Sequence, residues 1–368
     1  MFLPVIKPAF RIVLRILSFI LFLLTIAAAY SGRVNPDWVA FPSALTLFFP
    51  YLAIASLIVT VAWFCAGRYV TGAIGLLAIV ASWGPMRNAV PMHGSKKPEN
   101  PERVFSLLTY NIVHGWDQEH PDAPTGNRSF EYVLSSGADI VGLQEVVEWS
   151  GSEIPHFKEF RDSLFARYPY SAGGPNTDLK VLSRYPVRLV KQYAPSDGGM
   201  SRFALYEVRM PWGKLNWINM HLNSYMLTDS ERRVVRDIMS PSKTGEGLRE
   251  MKGPIRRKLS ESFRERAGHA RQLSEIVKEI DGPLIVSGDF NDVPESYAYR
   301  LMRDAGLNDA FQETTFGPTV TYNRHGFWFH LDQVFYKGGL KALSVSKNGI
   351  RSSDHYPIKA EFEYLDKE

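Results

Sequence analysis

Cysteine is almost missing from this chain of 368 residues, and its single copy, Cys65, lies inside an apolar run. One cysteine cannot build a disulfide framework, and residues 101–368 contain no thiol that could bind structural zinc. A globular part without thiols is compatible with an oxidising compartment. Any functional site in this part must therefore be built from oxygen and nitrogen side chains.

Charged residues are scarce in the first hundred positions, where three long apolar runs follow one another. A bilayer core requires ~20 apolar residues, with a range of about 17–25, so the runs at 12–30 and 44–66 are long enough. The run at 69–85 is at the lower limit. We predict a membrane region over residues 1–85 with three transmembrane helices. The alternative is a cleaved signal peptide, but its apolar part would be only ~7–15 residues long.

Basic residues are distributed unevenly around the first run. Lys7, Arg11 and Arg15 lie before its apolar centre, whereas Arg33 alone follows it. The positive-inside rule then places the N-terminus in the cytoplasm, and three crossings place the rest of the chain outside. Arg87, Lys96 and Lys97, which follow the third run, argue for the opposite orientation. We predict a multi-pass protein of the cell membrane with an extracytoplasmic domain.

Net positive charge is missing from the globular part. Residues 1–100 carry eight Lys/Arg and two Asp/Glu, a net of +6, while the whole chain carries +4. Residues 101–368 therefore carry a net of −2. Nucleic-acid-binding domains usually have a basic surface, so a nucleic-acid partner is not favoured.

Residues 224–271 are an exception, with twelve Lys/Arg against seven Asp/Glu. From Pro254 onward, apolar residues recur every three or four positions, which predicts an amphipathic helix that begins at this proline. Two interpretations of its basic face remain open. The face is either solvated surface or a contact for anionic lipid headgroups or an anionic substrate.

Residues 86–102 are polar, contain three prolines, and are interpreted as a linker to a domain at 103–368. A flexible tether of this length would keep the domain within ~60 Å of the bilayer. In the domain, strand-like runs alternate with helical stretches. Several runs alternate apolar and polar residues, as antiparallel strands with one buried face do. A two-layered sheet core with helices outside is the natural packing of so many strands.

Six strand-like runs between residues 104 and 364 each end in Asn, Glu, His or Asp. Buried strands that end in this way deliver polar groups to one rim of a sheet. Hard oxygen ligands with imidazoles and no thiol suit Mg²⁺ or Mn²⁺ and phosphoryl chemistry. The rim residues are Asn111, Glu145, His221, Asp289, Asn291, Asp332, Asp354 and His355.

The order of these segments resembles the endonuclease/exonuclease/phosphatase superfamily. The segments TYN, LQEV, SRYPV, MHLN, SGDFND, LDQVFY and SDHYP follow one another through residues 104–364 as they do in that group. The resemblance implies an α/β (α+β) fold, namely a four-layered α/β/β/α sandwich of the deoxyribonuclease-like type. It also implies hydrolysis of phosphate esters with Mg²⁺ or Mn²⁺ as cofactor. Together with the apolar runs, the chain is similar to bacterial membrane-anchored members.

The resemblance also implies a role for each carboxylate and amide of the rim. Glu145 would bind the metal directly, with Asn111 and Asp354 beside it. Asp289 would orient or deprotonate the attacking water as a general base. Asn291 would contact the phosphoryl oxygen.

Two imidazoles complete the implied site. His355 would stabilise the pentavalent phosphorus centre or protonate the leaving oxygen, and Asp332 would hold its ring in one tautomer. His221 would be the second imidazole on the phosphate. Arg184, in the SRYPV segment, is predicted to bind substrate, with a purely structural role as the open alternative.

Two segments depart from the pattern of this group, which leaves the substrate preference open. They are Phe329-His330-Leu331, where relatives commonly carry Arg-Ile before the aspartate, and Asp178-Leu179-Lys180, where small residues are common.

We therefore expect a membrane-anchored phosphodiesterase or phosphatase that acts on a phosphate ester. A lipid or lipid-linked substrate is favoured, because enzyme and substrate would then be confined to the same membrane. One alternative is a nuclease at the cell surface. The other is a catalytically inactive binding or assembly protein, against which the complete set of rim residues argues.

Overall fold

The structure is a computed structural model that describes residues 8–120, 127–146, 157–194, 200, 202–225, 231, 247–324 and 327–365. The part of the predicted basic segment from 226 to 246 lies outside the described residues, apart from Glu231.

Four helices form the N-terminal region: α1 (Pro8–Tyr30), α2 (Phe41–Cys65), α3 (Tyr69–Ala81) and α4 (Trp83–Ala89). The helices Ala9–Arg33 and Phe41–Cys65 are long and apolar enough to cross a membrane. Helices α3 and α4 meet the same criterion only as a pair bent by 62°. The described residues thus contain two candidate spans, or three if the bent pair is one span, and the third helix is shorter than the predicted run.

Small polar side chains join the first three helices into a bundle. The hydroxyl groups of Thr25 and Ser56 lie 2.7 Å apart. Gly75 on α3 allows close approach, because a Cβ there would lie 2.2 Å from Thr60 Oγ1 and 2.6 Å from the Phe22 ring. Small residues at contacts and interhelical hydrogen bonds are the usual means of helix association in membranes.

Two six-stranded sheets form the core of the second region. The first has the order β13-β14-β1-β2-β4-β3 and the second has the order β5-β6-β7-β8-β12-β9, while β10 and β11 form a separate hairpin. The strands are β1 (Val104–Asn111), β2 (Ile140–Gln144), β3 (Tyr170–Gly173), β4 (Lys180–Ser183), β5 (Val187–Tyr193), β6 (Phe203–Met210), β7 (Gly213–His221), β8 (Leu284–Asp289), β9 (Asn308–Asp309), β10 (Tyr322–Arg324), β11 (Phe327–Phe329), β12 (Asp332–Lys337), β13 (Leu340–Lys347) and β14 (Ile358–Tyr364).

Helices pack on the outer face of each sheet, except for the last one, whose Phe311 lies in the cluster between the sheets. They are α5 (Arg128–Ser135), α6 (Phe157–Arg167), α7 (Gly247–Glu279), α8 (Tyr297–Asp304) and α9 (Ala310–Thr314). Phe130 of α5 and Leu164 of α6 pack with strands β1 and β2, and Leu273 of α7 and Met302 of α8 pack with β7 and β8. A third cluster around Trp217 fills the space between the sheets. The predicted four-layered α/β/β/α sandwich is therefore confirmed.

Helix α7 begins before the predicted position. It starts at Gly247, so Pro254 lies inside the helix instead of at its start. Proline removes one backbone hydrogen bond from a helix interior, a loss that a helix of 33 residues packed along one face can accommodate. The periodicity itself was a reliable guide, since Phe263, Ala267 and Val277 are buried.

Strand register brings polar side chains to one rim. Strands β1 and β2 are parallel, and Asn111 lies opposite Gln144, the residue before Glu145. Strands β7 and β8 are parallel and pair His221 with Asp289. Strand β12 begins at Asp332, directly opposite Asp289. Parallel strands end on the same side of a sheet, so these side chains converge.

The segment that connects membrane helices and sandwich lies against the sandwich. The His93 backbone N–H donates to the Thr315 carbonyl over 2.9 Å, and Lys96 forms an ion pair of 2.7 Å with Glu313. Backbone hydrogen bonds and a charge pair thus hold this segment against the sandwich, well within the maximum reach, and its role as a linker stays a prediction. The domain boundary at 102/103 stays a prediction.

The loop between α1 and α2 makes a second contact. Arg271 of α7 forms an ion pair of 2.7 Å with Asp37. Gly32 lies so close to the sandwich that a Cβ there would be 2.0 Å from the Glu295 carbonyl oxygen. The N-terminal region therefore contacts the sandwich through both this loop and the segment after α4.

Candidate active site

Asp289 lies at the centre of the polar rim and is almost fully buried. The Asn111 side-chain amide donates to Asp289 Oδ2 over 3.1 Å and to Glu145 Oε1 over 3.0 Å. The Asn291 backbone N–H donates to Asp289 Oδ1 over 2.7 Å. The Asn291 side-chain amide donates to the Leu222 carbonyl over 2.9 Å. The Asn111 side chain thus holds the carboxylates of Asp289 and Glu145 together. The Asn291 backbone N–H binds the other oxygen of the Asp289 carboxylate.

A histidine–aspartate pair approaches Asp289 from β12 and the segment before β14. His355 Nδ1 lies 2.8 Å from Asp332 Oδ2, and its Nε2 lies 3.4 Å from Asp289 Oδ2. The Tyr322 ring meets the imidazole edge-on at 5.1 Å. Asp332 therefore fixes the orientation of the ring so that Nε2 faces the site.

A second pair approaches from β7. His221 Nδ1 lies 2.6 Å from Asp178 Oδ2. Its Nε2 lies 3.7 Å from both Glu145 Oε1 and Asp289 Oδ2. Both imidazoles thus turn their Nε2 atoms towards Asp289 while a buried carboxylate holds Nδ1.

The carboxylates raise the pKa values of both imidazoles. Burial alone would lower the pKa of His221, but Asp178, assisted by Asp289 and Glu145, raises it to about 9. Burial is likewise outweighed at His355, where Asp332 and Asp289 hold the pKa well above its usual range. Burial, together with the nearby Asp332 carboxylate, raises the pKa of Asp289 despite the two imidazoles. The neighbouring carboxylates thus favour the protonated forms of both imidazoles, while burial disfavours the charged form of Asp289.

Backbone conformations at the rim are unusual for the residues that adopt them. Glu145 has φ 53° and Asn291 has φ 49°, in the left-handed region that non-glycine residues adopt rarely and often at functional sites. Gly288 has φ 140°, and a Cβ there would lie 2.0 Å from the Met220 carbonyl oxygen. Only glycine fits at this position, which explains the glycine directly before Asp289.

The donor set fits a hard divalent cation. Asp289, Asp332 and His355 offer three ligand atoms within 4.8 Å of one another. Asp332 already binds His355 Nδ1. We therefore regard Glu145 and Asp289, which both accept hydrogen bonds from Asn111, as better oxygen ligands for the cation than Asp332. Burial and neighbouring carboxylates disfavour the charged form of Asp289, and a bound cation would stabilise it. The roles assigned to individual residues stay predictions.

Two predicted residues have other partners. Arg184 forms an ion pair of 2.9 Å with Asp139, at the end of β4 where Ser183 pairs with Ile140, opposite to the end near Glu145. The structure therefore does not bring Arg184 to the site, and its position matches the structural alternative. Asp354 lies beside His355, but its carboxylate is 3.5 Å from the Arg324 guanidinium.

Sequence reasoning missed several residues that support the site. Asp178 stands out in the sequence only as a departure from the family pattern, because its contact with His221 of β7 depends on the tertiary fold. Arg266 is 1% exposed, with its Nη1 2.9 Å from the Asn223 carbonyl and its Nε 3.4 Å from Asp292. Its guanidinium also lies 4.2 Å from the Tyr225 ring centre. No local sequence pattern indicates these partners of Arg266, because Asn223 and Asp292 lie far from it along the chain.

Comparison with known families agrees with this geometry. The model of the Endonuclease/Exonuclease/phosphatase family matches residues 108–355, so the chain belongs to this family, whose members are generally hydrolases of phosphate esters. A second family model, described as a domain of unknown function (DUF8431), matches residues 11–89. The two matches divide the chain into the region of the apolar N-terminal helices and the sandwich.

Among curated proteins, the chain is similar to the uncharacterized protein YbhP of Escherichia coli K12. The two are 25% identical over 284 residues, which cover 70% of this chain and 95% of YbhP. Among solved structures, it is similar to an endonuclease/exonuclease/phosphatase from Beutenbergia cavernae, with 17% identity, a TM-score of 0.48 and 72% of each chain covered. The human Nocturnin catalytic domain has 17% identity and a TM-score of 0.45, covering 72% of this chain and 95% of that domain.

Proposed function

We propose that this protein is a membrane-anchored, divalent-metal-dependent phosphoesterase that hydrolyses a phosphate ester on a lipid or lipid-linked molecule. In this proposal three spans, the third being the bent pair α3–α4, place the sandwich outside the cytoplasm. The convergence of two histidine–aspartate pairs on the buried Asp289 carboxylate carries the catalytic part of the proposal.

Each side chain has a task that its environment suits. Asp289 orients the attacking water and accepts its proton as a general base. The imidazolium of His221 stabilises charge on the phosphoryl oxygens. His355, whose pKa neighbouring carboxylates hold well above its usual range, donates a proton to the leaving oxygen. Glu145 and Asp289, with Asn111 beside them, would hold a divalent cation, which would supply the charge stabilisation that dominates phosphoryl transfer.

An apolar contact supports a membrane-borne substrate. Leu47, in the second turn of α2, packs against a cluster of Val293, Tyr322 and Leu331. These three residues are direct neighbours of the site, because Val293 follows Asn291 by two positions, Leu331 precedes Asp332, and Tyr322 contacts the His355 ring. The active site is thus one layer of side chains away from a candidate membrane helix, where a lipid phosphate would be within reach.

The test uses the full-length protein in vesicles with Mg²⁺. We expect hydrolysis of phospholipid or lipid-linked phosphate, loss of activity in EDTA, and recovery with Mg²⁺ or Mn²⁺. The variants Glu145→Gln and His355→Asn should each reduce the rate by at least about 10²-fold. Arg188→Gln, an exposed residue paired with Glu207 far from the rim, serves as the control.

Three results would contradict separate parts of the proposal. Full activity in metal-free buffer would remove the cation. Much faster cleavage of DNA than of every lipid tested would establish a nuclease at the cell surface. Absence of hydrolysis of any phosphate ester, small soluble diesters included, would favour a binding or assembly protein.

A further inference from the structure

A cavity of about 340 Å³ lies between the membrane helices and the sandwich. One wall is formed by the end of α1 and by α4, and the other by the segment from Pro294 to Arg303. None of the rim residues around Asp289 lines it. The Tyr30 hydroxyl at the end of α1 donates to the Ala81 carbonyl at the end of α3, so the cavity lies where the apolar helices end. Tyrosine is typical of this headgroup level of a membrane.

Four guanidinium groups line the cavity, and they come from both sides of the junction. Arg33 and Arg87 belong to the membrane helices, and Arg300 and Arg303 belong to α8. No described carboxylate forms an ion pair with Arg33, Arg87 or Arg303. Arg300 has Asp304 at 3.4 Å. Arginine is the residue best suited to bidentate contacts with phosphate oxygens.

Two buried polar groups in the wall lack partners among the described residues. Both carboxyl oxygens of Glu295 and the Nε of Arg300 make no hydrogen bond, and Glu295 is only 7% exposed. Buried polar groups without a partner are costly. Burial raises the pKa of Glu295 to about 8, so this carboxyl is uncharged at neutral pH and its hydroxyl can donate to an anion.

We propose that this cavity is a phosphate-binding site, separate from the active site, that takes the headgroup of an anionic membrane lipid. Four arginines supply the positive charge, and the Glu295 hydroxyl and Arg300 Nε supply unused donors. The position at the ends of the apolar helices leaves the acyl chains beside the bundle. The bound lipid joins the N-terminal helices to the segment from Pro294 to Arg303, which begins three residues after Asn291, and so holds both halves of the protein together.

The experiment measures thermal unfolding of the full-length, delipidated protein in non-ionic detergent, so it does not depend on any enzymatic activity. Three probes are added separately: phosphatidylglycerol, phosphatidylcholine and inorganic phosphate. We expect phosphatidylglycerol at saturation to raise the Tm by about 3 °C or more, and phosphatidylcholine or millimolar phosphate to raise it by less than about 1 °C. Native mass spectrometry should retain one phosphatidylglycerol per chain.

Variants on opposite sides of the junction identify the site. Arg87→Gln removes a guanidinium that has no described ion pair, so folding should be unaffected, and the Tm response to phosphatidylglycerol should fall at least by half. Arg33→Gln/Arg87→Gln should abolish it. The matched control Arg256→Gln/Arg257→Gln removes two exposed arginines of α7 that do not line the cavity, and its response should equal that of the wild type.

The outcomes separate the sources of phosphate. An equal Tm increase with inorganic phosphate alone would overturn the lipid assignment in favour of a soluble phosphate. Equal responses to both phospholipids, or an unchanged response in Arg33→Gln/Arg87→Gln, would overturn the site. A reduced response in Arg256→Gln/Arg257→Gln would mean that general attraction between basic surface and anionic lipid explains the effect.

Discussion

At the scale of single residues, the two histidine–aspartate pairs define the electrostatics of the site. Asn111, Glu145, His221, Asp289 and His355 were predicted from strand-like runs that end in polar residues, and the structure brings them together. Asp178 could not be predicted in this way, because only the tertiary fold places the residue before β4 against β7.

The pair His221–Asp178 predicts a change in pH dependence. In Asp178→Asn the imidazole loses the carboxylate that raises its pKa to about 9, so burial should bring the pKa below that value. If the protonated ring is active, the alkaline loss of activity moves to lower pH, and the rate near pH 8 falls by about 10²-fold. A pH–rate profile with a soluble diester measures this. Asp162→Asn, on the exposed face of α6, is the control, and an unmoved alkaline limb would contradict the role.

Glu295 predicts that stability depends on pH. Its pKa is about 8 in the folded protein and near 4.5 when unfolded, so the folded state binds more protons between these values. Stability from this group is fully present below pH ~4.5 and is lost as pH rises through about 8. Glu295→Gln should therefore flatten the pH dependence of the free energy of unfolding, with a gain over wild type at pH 9 of about 5 kcal/mol at most. Denaturant titrations of the wild type and Glu295→Gln at pH 5 and pH 9 test this. An equal difference in their free energies of unfolding at the two pH values would refute it.

At the scale of elements, α7 holds the active-site segment in place. Its apolar periodicity predicted the buried face, while the start at Gly247 was missed because a proline inside a long helix looks like a first turn. The basic face is smaller than expected, since Lys258 pairs with Glu231 at 2.8 Å. Arg257, at 77% side-chain exposure, remains open to solvent.

Arg266 of α7 provides the test of this support. Arg266→Leu leaves Asp292 buried without its cation, and breaking a buried pair from one side typically costs about 3–5 kcal/mol. We expect a lower free energy of unfolding by that amount, with partial recovery in Arg266→Leu/Asp292→Leu. Chemical denaturation measures both variants, and Arg257→Leu is the exposed control. A change below about 1 kcal/mol in Arg266→Leu would show that Asp292 has other support.

At the scale of the whole molecule, the two-layered sheet core and the apolar helices followed from apolar patterns in the sequence, and the four-layered sandwich followed from the resemblance to the family. The docking of the two regions did not, because contacts such as Arg271 with Asp37, and Leu47 with the cluster that contains Tyr322, join residues far apart in sequence. Composition indicated a linker at residues 86–102, but it gave no sign that Lys96 and its neighbours contact the sandwich.

This docking bears on topology. The loop after α1 and the segment after α4 both contact the sandwich, so all three lie at the same end of the helix bundle. An odd number of membrane crossings before the sandwich is consistent with this arrangement. The basic residues at the N-terminus favour a cytoplasmic position for the start of the chain. A reporter fused after Glu368 should therefore be active only outside the cytoplasm. Fusions after Gly67, between α2 and α3, should show the opposite pattern, and a cytoplasmic signal at the C-terminus would invert the arrangement.

The contact of Leu47 with the cluster beneath Tyr322 makes the thickness of the bilayer relevant to catalysis. Helix α2 has 25 residues, about 37 Å at 1.5 Å per residue, whereas a typical hydrocarbon core is ~30 Å thick. If α2 crosses the bilayer as proposed, a tilt would relieve this hydrophobic mismatch, and that tilt would change with acyl-chain length. Since its second turn touches residues that flank His355, we expect the rate to pass through an optimum in vesicles of graded acyl-chain length. A rate independent of chain length would show that α2 anchors the enzyme without tuning it.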